Sequence, residues 1–261
     1  MKISLIAAAI VLTTATAASA SAFDGTWKYD VKSLQVSKKP NVYVLSGGKY
    51  TCSTCVPAYT VAADGAFHKV AGNPYYDEVS VKVLDAKSIK WASRKGGKPM
   101  SDNTRTVSAD GKSMTIAFND MTATNGVAVT GKNVVARAAA APAGAHATSG
   151  SWLDTTEAQV NDAGLLVTMK MTGKAMTLTL PTGVAYTATV DGPPAPVTGD
   201  PGWTTVSLKA PKPGTLIETD YRDGKPISVS TYTVAADGKT IRAGSDDILR
   251  KTKSAATLVK Q

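Results

Sequence analysis

An internal duplication constrains the fold of this chain more than any other feature. Gly25-Thr26-Trp27 recurs 125 residues later as Gly150-Ser151-Trp152. From Tyr59 onward an offset of 127 residues relates further matches. These are Tyr59-Thr60 with Tyr186-Thr187, Gly72-Asn73-Pro74 with Gly199-Asp200-Pro201, and Gly97-Lys98-Pro99 with Gly224-Lys225-Pro226. One register that serves several separated matches indicates two copies of the same structural unit.

The tract between the copies, residues 138–149, reads AAAAPAGAHATS and has no bulky apolar residue. Its Pro and Gly content is typical of a linker. The sequence therefore predicts a first domain over residues 23–137 and a second over residues 150–261, each long enough for its own core.

Both copies have the alternating pattern of half-buried β-strands. Glu78–Val83 and Ala175–Leu180 place apolar residues at every second position, and no window keeps a helical period. Asp-Gly pairs favour tight hairpin turns. Five such pairs are candidate hairpin tips, at Asp64-Gly65, Asp110-Gly111, Asp191-Gly192, Asp223-Gly224 and Asp237-Gly238. Short strands joined by tight turns predict an antiparallel meander that closes as a barrel or stacks as a sandwich.

The N-terminus, residues 1–22, has the pattern of a secretory signal peptide. Lys2 precedes an apolar run from Ile3 to Leu12, and small residues allow cleavage after Ala20 or Ala22. We therefore expect an exported, periplasmic or secreted protein with no transmembrane segment.

Removing the signal peptide takes away Lys2 and lowers the formal net charge from +9 to +8. The remaining basic residues are scattered singly, which argues against nucleic-acid binding. A weak attraction to anionic envelope surfaces is compatible with this charge.

Each copy opens with Gly-x-Trp, at Trp27 and Trp152, and a basic residue, Arg137 or Arg250, stands near each end. Gly-x-Trp resembles the opening motif of the lipocalin and avidin superfamily. Further stretches look like secreted proteobacterial lipocalin-like (calycin-type) proteins of unassigned role. They are Asp24–Trp27, Gly72–Asp77, Lys95–Lys98 and Thr104–Lys112.

The resemblance implies an all-β fold of two tandem antiparallel lipocalin-like up-and-down β-barrels. In that family the tryptophan plugs the closed end of the barrel and a basic residue of the last strand covers its ring. The resemblance implies no activity.

The second copy departs from this pattern near its end. Met114 to Arg137 spans 24 residues, whereas Ile241 to Arg250 spans 10, so about one hairpin is missing. Either the second barrel is smaller, or it borrows an edge from the first.

Cys52-Ser-Thr-Cys55 is the most conspicuous local motif. A redox C-x-x-C needs a helix N-terminus, which the flanking strand and loop residues do not provide. A disulfide that clamps one turn is the main interpretation in an oxidising compartment. A metal half-site completed by His68 is the alternative. We expect no metal ion and no cofactor.

The alignment of the two copies and the alternation along the strands indicate candidate functional residues. Tyr75, Tyr76 and Trp203 could form aromatic barrel rims that suit an apolar ligand. His68, Tyr76 and Asp77 could handle protons if His68 faces the interior, which requires Phe67 to face outward.

No nucleophile elbow, phosphate-binding loop, dinucleotide fingerprint or zinc-protease motif occurs in the sequence. The leading hypothesis is an exported binding protein for a small, largely apolar ligand. The alternatives are an isomerase, cyclase or hydrolase in the cavity of the first domain, and a non-catalytic structural module of the cell envelope.

Overall fold

The computed structural model describes residues 21–261, so residues 1–20 of the predicted signal peptide lie outside the described part. Within residues 21–261, twenty β-strands and one 3₁₀ turn (Asp162–Gly164) form the fold. The strands of the first copy are β1 (Gly25–Gln35), β2 (Asn41–Ser46), β3 (Lys49–Cys52), β4 (Tyr59–Ala62), β5 (Asp64–Lys69), β6 (Glu78–Val83), β7 (Ser88–Lys95), β8 (Lys98–Val107), β9 (Ser113–Asp120) and β10 (Val129–Ala139). The strands of the second copy are β11 (Gly150–Val160), β12 (Leu166–Thr172), β13 (Ala175–Thr179), β14 (Ala185–Thr189), β15 (Ala195–Thr198), β16 (Thr205–Lys212), β17 (Thr215–Arg222), β18 (Lys225–Val234), β19 (Thr240–Asp247) and β20 (Thr252–Lys260).

The strands form two ten-stranded antiparallel barrel-like sheets, here called the first and second barrel, which confirms the predicted fold class. The first barrel has the order β4-β3-β2-β11-β10-β9-β8-β7-β6-β5, and its two edge strands are successive in the chain. The second barrel is fully closed, with the order β1-β12-β13-β14-β15-β16-β17-β18-β19-β20. Closure leaves this second sheet without a free edge.

The first strands of the two copies are exchanged between the barrels. In the second barrel, Thr26 of β1 lies opposite Thr168 of β12, and Trp27 lies opposite Lys260 of β20. In the first barrel, Ser151 of β11 lies opposite Val42 of β2. The second barrel does take an edge strand, β1, from the first copy, and the first barrel in turn contains β11 of the second copy. The sheets are therefore divided differently from the two sequence copies.

No hairpin is missing from the second copy, so that expectation was wrong. Strand β20 continues to Lys260 and pairs with both β19 and β1. Arg250 does not end the last strand but lies in the turn between β19 and β20, where its carbonyl accepts a hydrogen bond from Lys39 Nζ at 2.8 Å. At this point the second copy has a shorter connection, residues 248–251, than the first, whose β9 and β10 are joined by residues 121–128.

Both tryptophans of the Gly-x-Trp motifs are completely buried at barrel ends. The guanidinium of Arg137 lies 4.0 Å from the ring centroid of Trp152 and donates to three backbone carbonyls. Lys260 Nζ lies 5.1 Å from the ring centroid of Trp27. Arg137, expected over Trp27 of its own copy, thus covers Trp152, because β1 and β11 are exchanged. Arg250, expected over Trp152, covers neither tryptophan, since the last strand continues to Lys260, which covers Trp27.

Four of the five Asp-Gly pairs connect successive strands. Asp223 and Gly224 both have positive φ, 50° and 76°, and form a two-residue turn between β17 and β18. This is the backbone geometry that favours Asp-Gly in hairpins. Asp64-Gly65 is the exception, because it lies within β5 at a shift of register against β6.

Cys52 and Cys55 form a disulfide at the end of β3, as the main interpretation of the motif predicts. Within residues 21–261 no helix is long and apolar enough to cross a membrane.

Candidate functional site

A cavity of about 480 Å³, partly open to solvent, lies at the interior face of the second barrel. This volume lies in the range of small-molecule sites. Apolar side chains form much of its wall, while two carboxylates, tyrosines and serines form one side. The residues that line it are Tyr29, Asp120, Val129, Ala163, Gly164, Leu166, Val167, Leu178, Leu180, Thr182, Trp203, Glu218, Asp220, Ser228, Ser230, Tyr232 and Ser245.

The two carboxylates reach the interior because of the alternation along β17. Leu216, Glu218 and Asp220 are two residues apart, so their side chains lie on the same face. All three are buried, with 2%, 3% and 9% of their surface exposed. Charged residues are almost never buried to this degree unless they are paired. This side of β17 is therefore where the core is most polar.

Glu218 is held by two tyrosines from neighbouring parts of the wall. The hydroxyl of Tyr186 donates to Oε2 of Glu218, and the hydroxyl of Tyr232 donates to Oε1 at 3.3 Å. Burial, followed by the nearby charge of Asp220, raises the pKa of Glu218 to about 8. The Glu218 carboxyl group thus keeps its proton at neutral pH.

Asp220 accepts a side-chain hydrogen bond from a single donor among the described residues. The hydroxyl of Ser228 donates to Oδ2 of Asp220, and within the described residues Oδ1 is buried without any partner. Burial raises the pKa of Asp220 to about 6. Burial thus raises the pKa of both carboxyl groups and favours their protonated forms. An unpartnered buried acceptor is unfavourable unless a ligand or water satisfies it.

Trp203 contributes a second unpartnered polar atom to the cavity wall. Its indole Nε1 is buried and lacks an acceptor among residues 21–261. Its ring packs edge-on against Tyr186, with 5.6 Å between the centroids. The aromatic rim predicted at Trp203 thus lies in the wall of a real cavity, although its role as a ligand contact stays a prediction.

Tyr75 lies between the barrels and reaches the loop that carries Trp203. Its hydroxyl donates to Oδ1 of Asp200 at 3.0 Å, and the same oxygen accepts from the backbone N–H groups of Gly202 and Trp203. Burial and the adjacent Asp200 raise the pKa of Tyr75. Tyr75 therefore supports the position of Trp203 from the other barrel.

Residues of the first copy and the interbarrel turn close over one side of the cavity. Asp120 and Val129 come from the β9–β10 hairpin, and Ala163 and Gly164 from the 3₁₀ turn. A Cβ on Gly164 would lie 2.6 Å from Cγ1 of Val129, so glycine permits this close approach. The cavity is thus built by both copies.

The first barrel has a different interior at the equivalent positions. Trp91, Ser93 and Arg105 lie 127 residues before Glu218, Asp220 and Tyr232. Arg105 is buried and donates to the Tyr50 hydroxyl at 2.8 Å. Its guanidinium also lies over the ring of Tyr43. Aromatic rings and an internal cation fill this interior, and a cavity of about 200 Å³ remains near Trp152.

The proton-handling residues predicted in the first barrel each have a separate partner. Nε2 of His68 lies 2.8 Å from Oδ1 of Asp64 in a half-exposed pair. Asp77 accepts from the backbone N–H of Gly96, which is a turn contact. The ring of Tyr76 packs edge-on against Trp91, with 5.8 Å between centroids.

His68 lies opposite buried Val79 and so shares its face, while Phe67 is exposed beneath Arg94. These contacts direct His68, Tyr76 and Asp77 to different neighbours, and their shared role in proton transfer stays a prediction.

The sequence reasoning missed the acidic pair of β17 and its tyrosines. The signal was present in Thr215–Arg222, where Glu218 and Asp220 continue the apolar face that begins at Leu216. A charged residue at a core position of a strand conflicts with the binary pattern of the fold. Such conflicts are frequent at functional sites.

Comparisons with protein-family models, with curated proteins and with solved structures found no match for this chain. The fold is compatible with a lipocalin-like double barrel. Within residues 21–261 no group of three or more His, Cys, Asp or Glu side chains is placed to hold a metal ion.

Proposed function

We propose that this protein is an exported binding protein that holds one small, largely apolar molecule inside its second barrel. The cavity of about 480 Å³ in that barrel is the observation that carries the proposal. Small-molecule sites are concave, mostly apolar and furnished with a few polar groups, which describes this interior.

The composition of the cavity wall supports a ligand with an apolar body. Val167 and Leu178 belong to the buried core and also line the cavity, and Leu180 extends the apolar wall. Tyr29 and Trp203 add aromatic surface. The polar groups are concentrated on β17 and β18, so a bound molecule would be oriented with one polar end towards these strands.

The proposal includes export, which the predicted signal peptide motivates. Cleavage after Ala20 or Ala22 would leave Phe23, whose side chain is buried and whose carbonyl accepts the Trp27 indole N–H at 2.9 Å. N-terminal sequencing of the protein from the extracellular or periplasmic fraction tests this part. A mature chain that begins at Ser21 or Phe23 is expected, and an unprocessed Met1 in the cytoplasm would contradict it.

A matched pair of substitutions tests binding in the cavity. Ser245 lies opposite Ser230 in the cavity wall, and the residue 127 positions earlier is Phe118. Ser245→Phe therefore introduces a ring that the first copy already carries at the equivalent position. Thr231→Phe adds the same ring on the exposed side of β18 and serves as the control.

The assay is native mass spectrometry of the gently purified full-length exported chain, followed by titration with a panel of lipophilic fluorophores. We expect one ligand per chain and at least about a tenfold loss of affinity in Ser245→Phe, with Thr231→Phe unchanged. Absence of binding to the unmodified protein, or equal binding by both variants, would reject the second-barrel cavity as the site.

A further inference from the structure

The charge of the second-barrel cavity is unbalanced. Three acids line it, Asp120, Glu218 and Asp220, and no Lys, Arg or His is among the described residues that line it. Asp200 adds a further negative charge near Asp220. Buried carboxylates are normally paired with a cation or bound to a metal. The described residues that line the cavity therefore supply no positive charge to pair with these carboxylates.

The unpartnered atoms show where a ligand would be held. Oδ1 of Asp220 is buried without a donor, while the other oxygens of the pair accept from Ser228, Tyr186 and Tyr232. A ligand that donates hydrogen bonds at Asp220 would satisfy the one free oxygen. A neutral or anionic ligand end would leave the buried charge unpaired, which is costly.

Comparison of the two copies shows that this charge is not required by the fold. At the positions equivalent to Glu218, Asp220 and Tyr232 the first barrel has Trp91, Ser93 and Arg105. The first barrel thus carries a cation within its interior, while the described residues that line the cavity of the second include acids and no Lys, Arg or His. The fold forms in both cases, so the acids of the second barrel are available for recognition.

We infer that the ligand of the second barrel carries a protonated amine on an apolar or aromatic body, with the amine bound between Glu218 and Asp220. This inference rests on the proposed function and specifies its ligand class. The ammonium group donates to Oδ1 of Asp220 and balances its charge. Tyr186, Tyr232 and Trp203 surround the pair with aromatic surface, which attracts a cation as well.

Titration calorimetry of the full-length protein with matched ligands tests the inference. The aromatic probes are benzylamine, benzyl alcohol and benzoate, and the aliphatic probes are hexylamine, hexanol and hexanoate. Within each series the hydrocarbon part stays nearly constant while the charge of the polar group changes. We expect each amine to bind about tenfold to a hundredfold tighter than its alcohol, with the carboxylates weakest. This comparison needs only the unmodified protein.

Two substitutions identify the residue responsible. Asp220→Asn keeps the shape of the side chain and should remove the preference for amines while alcohol binding persists. Asp246→Asn changes an exposed carboxylate that pairs with Lys253 on the barrel surface, and it should leave the preference intact. Urea unfolding of both variants establishes that they are folded.

The outcomes separate this inference from the proposed function. If the alcohols bind as tightly as the amines, or if Asp220→Asn keeps the amine preference, the ligand class is wrong and the cavity remains a binding site. If Ca²⁺ or Mg²⁺ binds at Asp220 and no amine does, the inferred amine ligand is wrong and the site binds a metal ion. If no probe binds and no fluorophore is displaced, the proposed function fails as well.

Discussion

Glu218→Gln should make the protein more stable at pH 8 and less dependent on pH. Glu218 is 3% exposed, and its pKa is raised from 4.5 to about 8 by burial and by Asp220. Between these values the folded state keeps a proton that the unfolded chain releases. The folded state of the native protein therefore loses stability as the pH rises from about 4.5 to 8.

The size of this loss follows from the pKa difference. Each pKa unit corresponds to about 1.36 kcal/mol, so Glu218 lowers the free energy of unfolding by at most about 5 kcal/mol at pH 8 relative to pH 4.5. A neutral glutamine has no such dependence. The protonated carboxyl group carries one hydrogen whereas the amide of glutamine carries two, and burying the extra N–H beside Tyr186 and Tyr232 costs about 1–2 kcal/mol. The variant should thus be weaker than the native protein at pH 5 and stronger at pH 8.

Urea unfolding followed by tryptophan fluorescence at pH 5, 6, 7, 8 and 9 measures this difference. Glu157→Gln, on an exposed position of β11, is the control and should follow the native curve. A Glu218→Gln curve parallel to the native curve between pH 5 and 8 would refute the reasoning. A native stability that rises with pH across this window would refute it too.

Two further predictions concern the barrel ends and the strand exchange. Arg137→Ala should lower the free energy of unfolding by about 3 kcal/mol, because it removes three carbonyl hydrogen bonds and a cation–π contact, whereas Lys260→Ala should cost only about 0.5 kcal/mol. Urea unfolding measures both, and equal losses would contradict the geometry. Cysteines at Thr26 and Thr168, whose hydroxyl oxygens are 2.9 Å apart, should form a disulfide within one chain, while Thr26 with Val42 should not. Mass spectrometry of the oxidised monomers distinguishes the pairs, and the opposite result would mean that β1 stays with its own copy.

The class of fold could be predicted from local sequence, whereas the assignment of strands to barrels could not. Alternation and Asp-Gly turns act over a few residues, and Asp223-Gly224 folds as its sequence dictates. The first strands, β1 and β11, both carry Gly-x-Trp and suit either barrel equally well in pattern. Only the connections and the packing of the whole chain decide between them, as in domain swapping.

The candidate site was only partly predictable for a similar reason. Trp203 was identified from its register with Tyr76, and it does line the cavity. Register alone cannot tell that the interior is filled at Trp91 and open at Glu218, since cavity volume depends on every inward side chain together. A single basic residue does not mark the end of the last strand. Arg250 lies in a turn, and the alternation of β20 continues beyond it to Lys260.

A crystal structure of the full-length protein soaked with benzylamine tests the central claim most directly. The ligand is predicted inside the second barrel, with its nitrogen within hydrogen-bond distance of Oδ1 of Asp220 and its ring against Trp203. A barrel interior that stays free of ligand, or benzylamine bound only on the outer surface, would contradict both the cavity and its preference for amines.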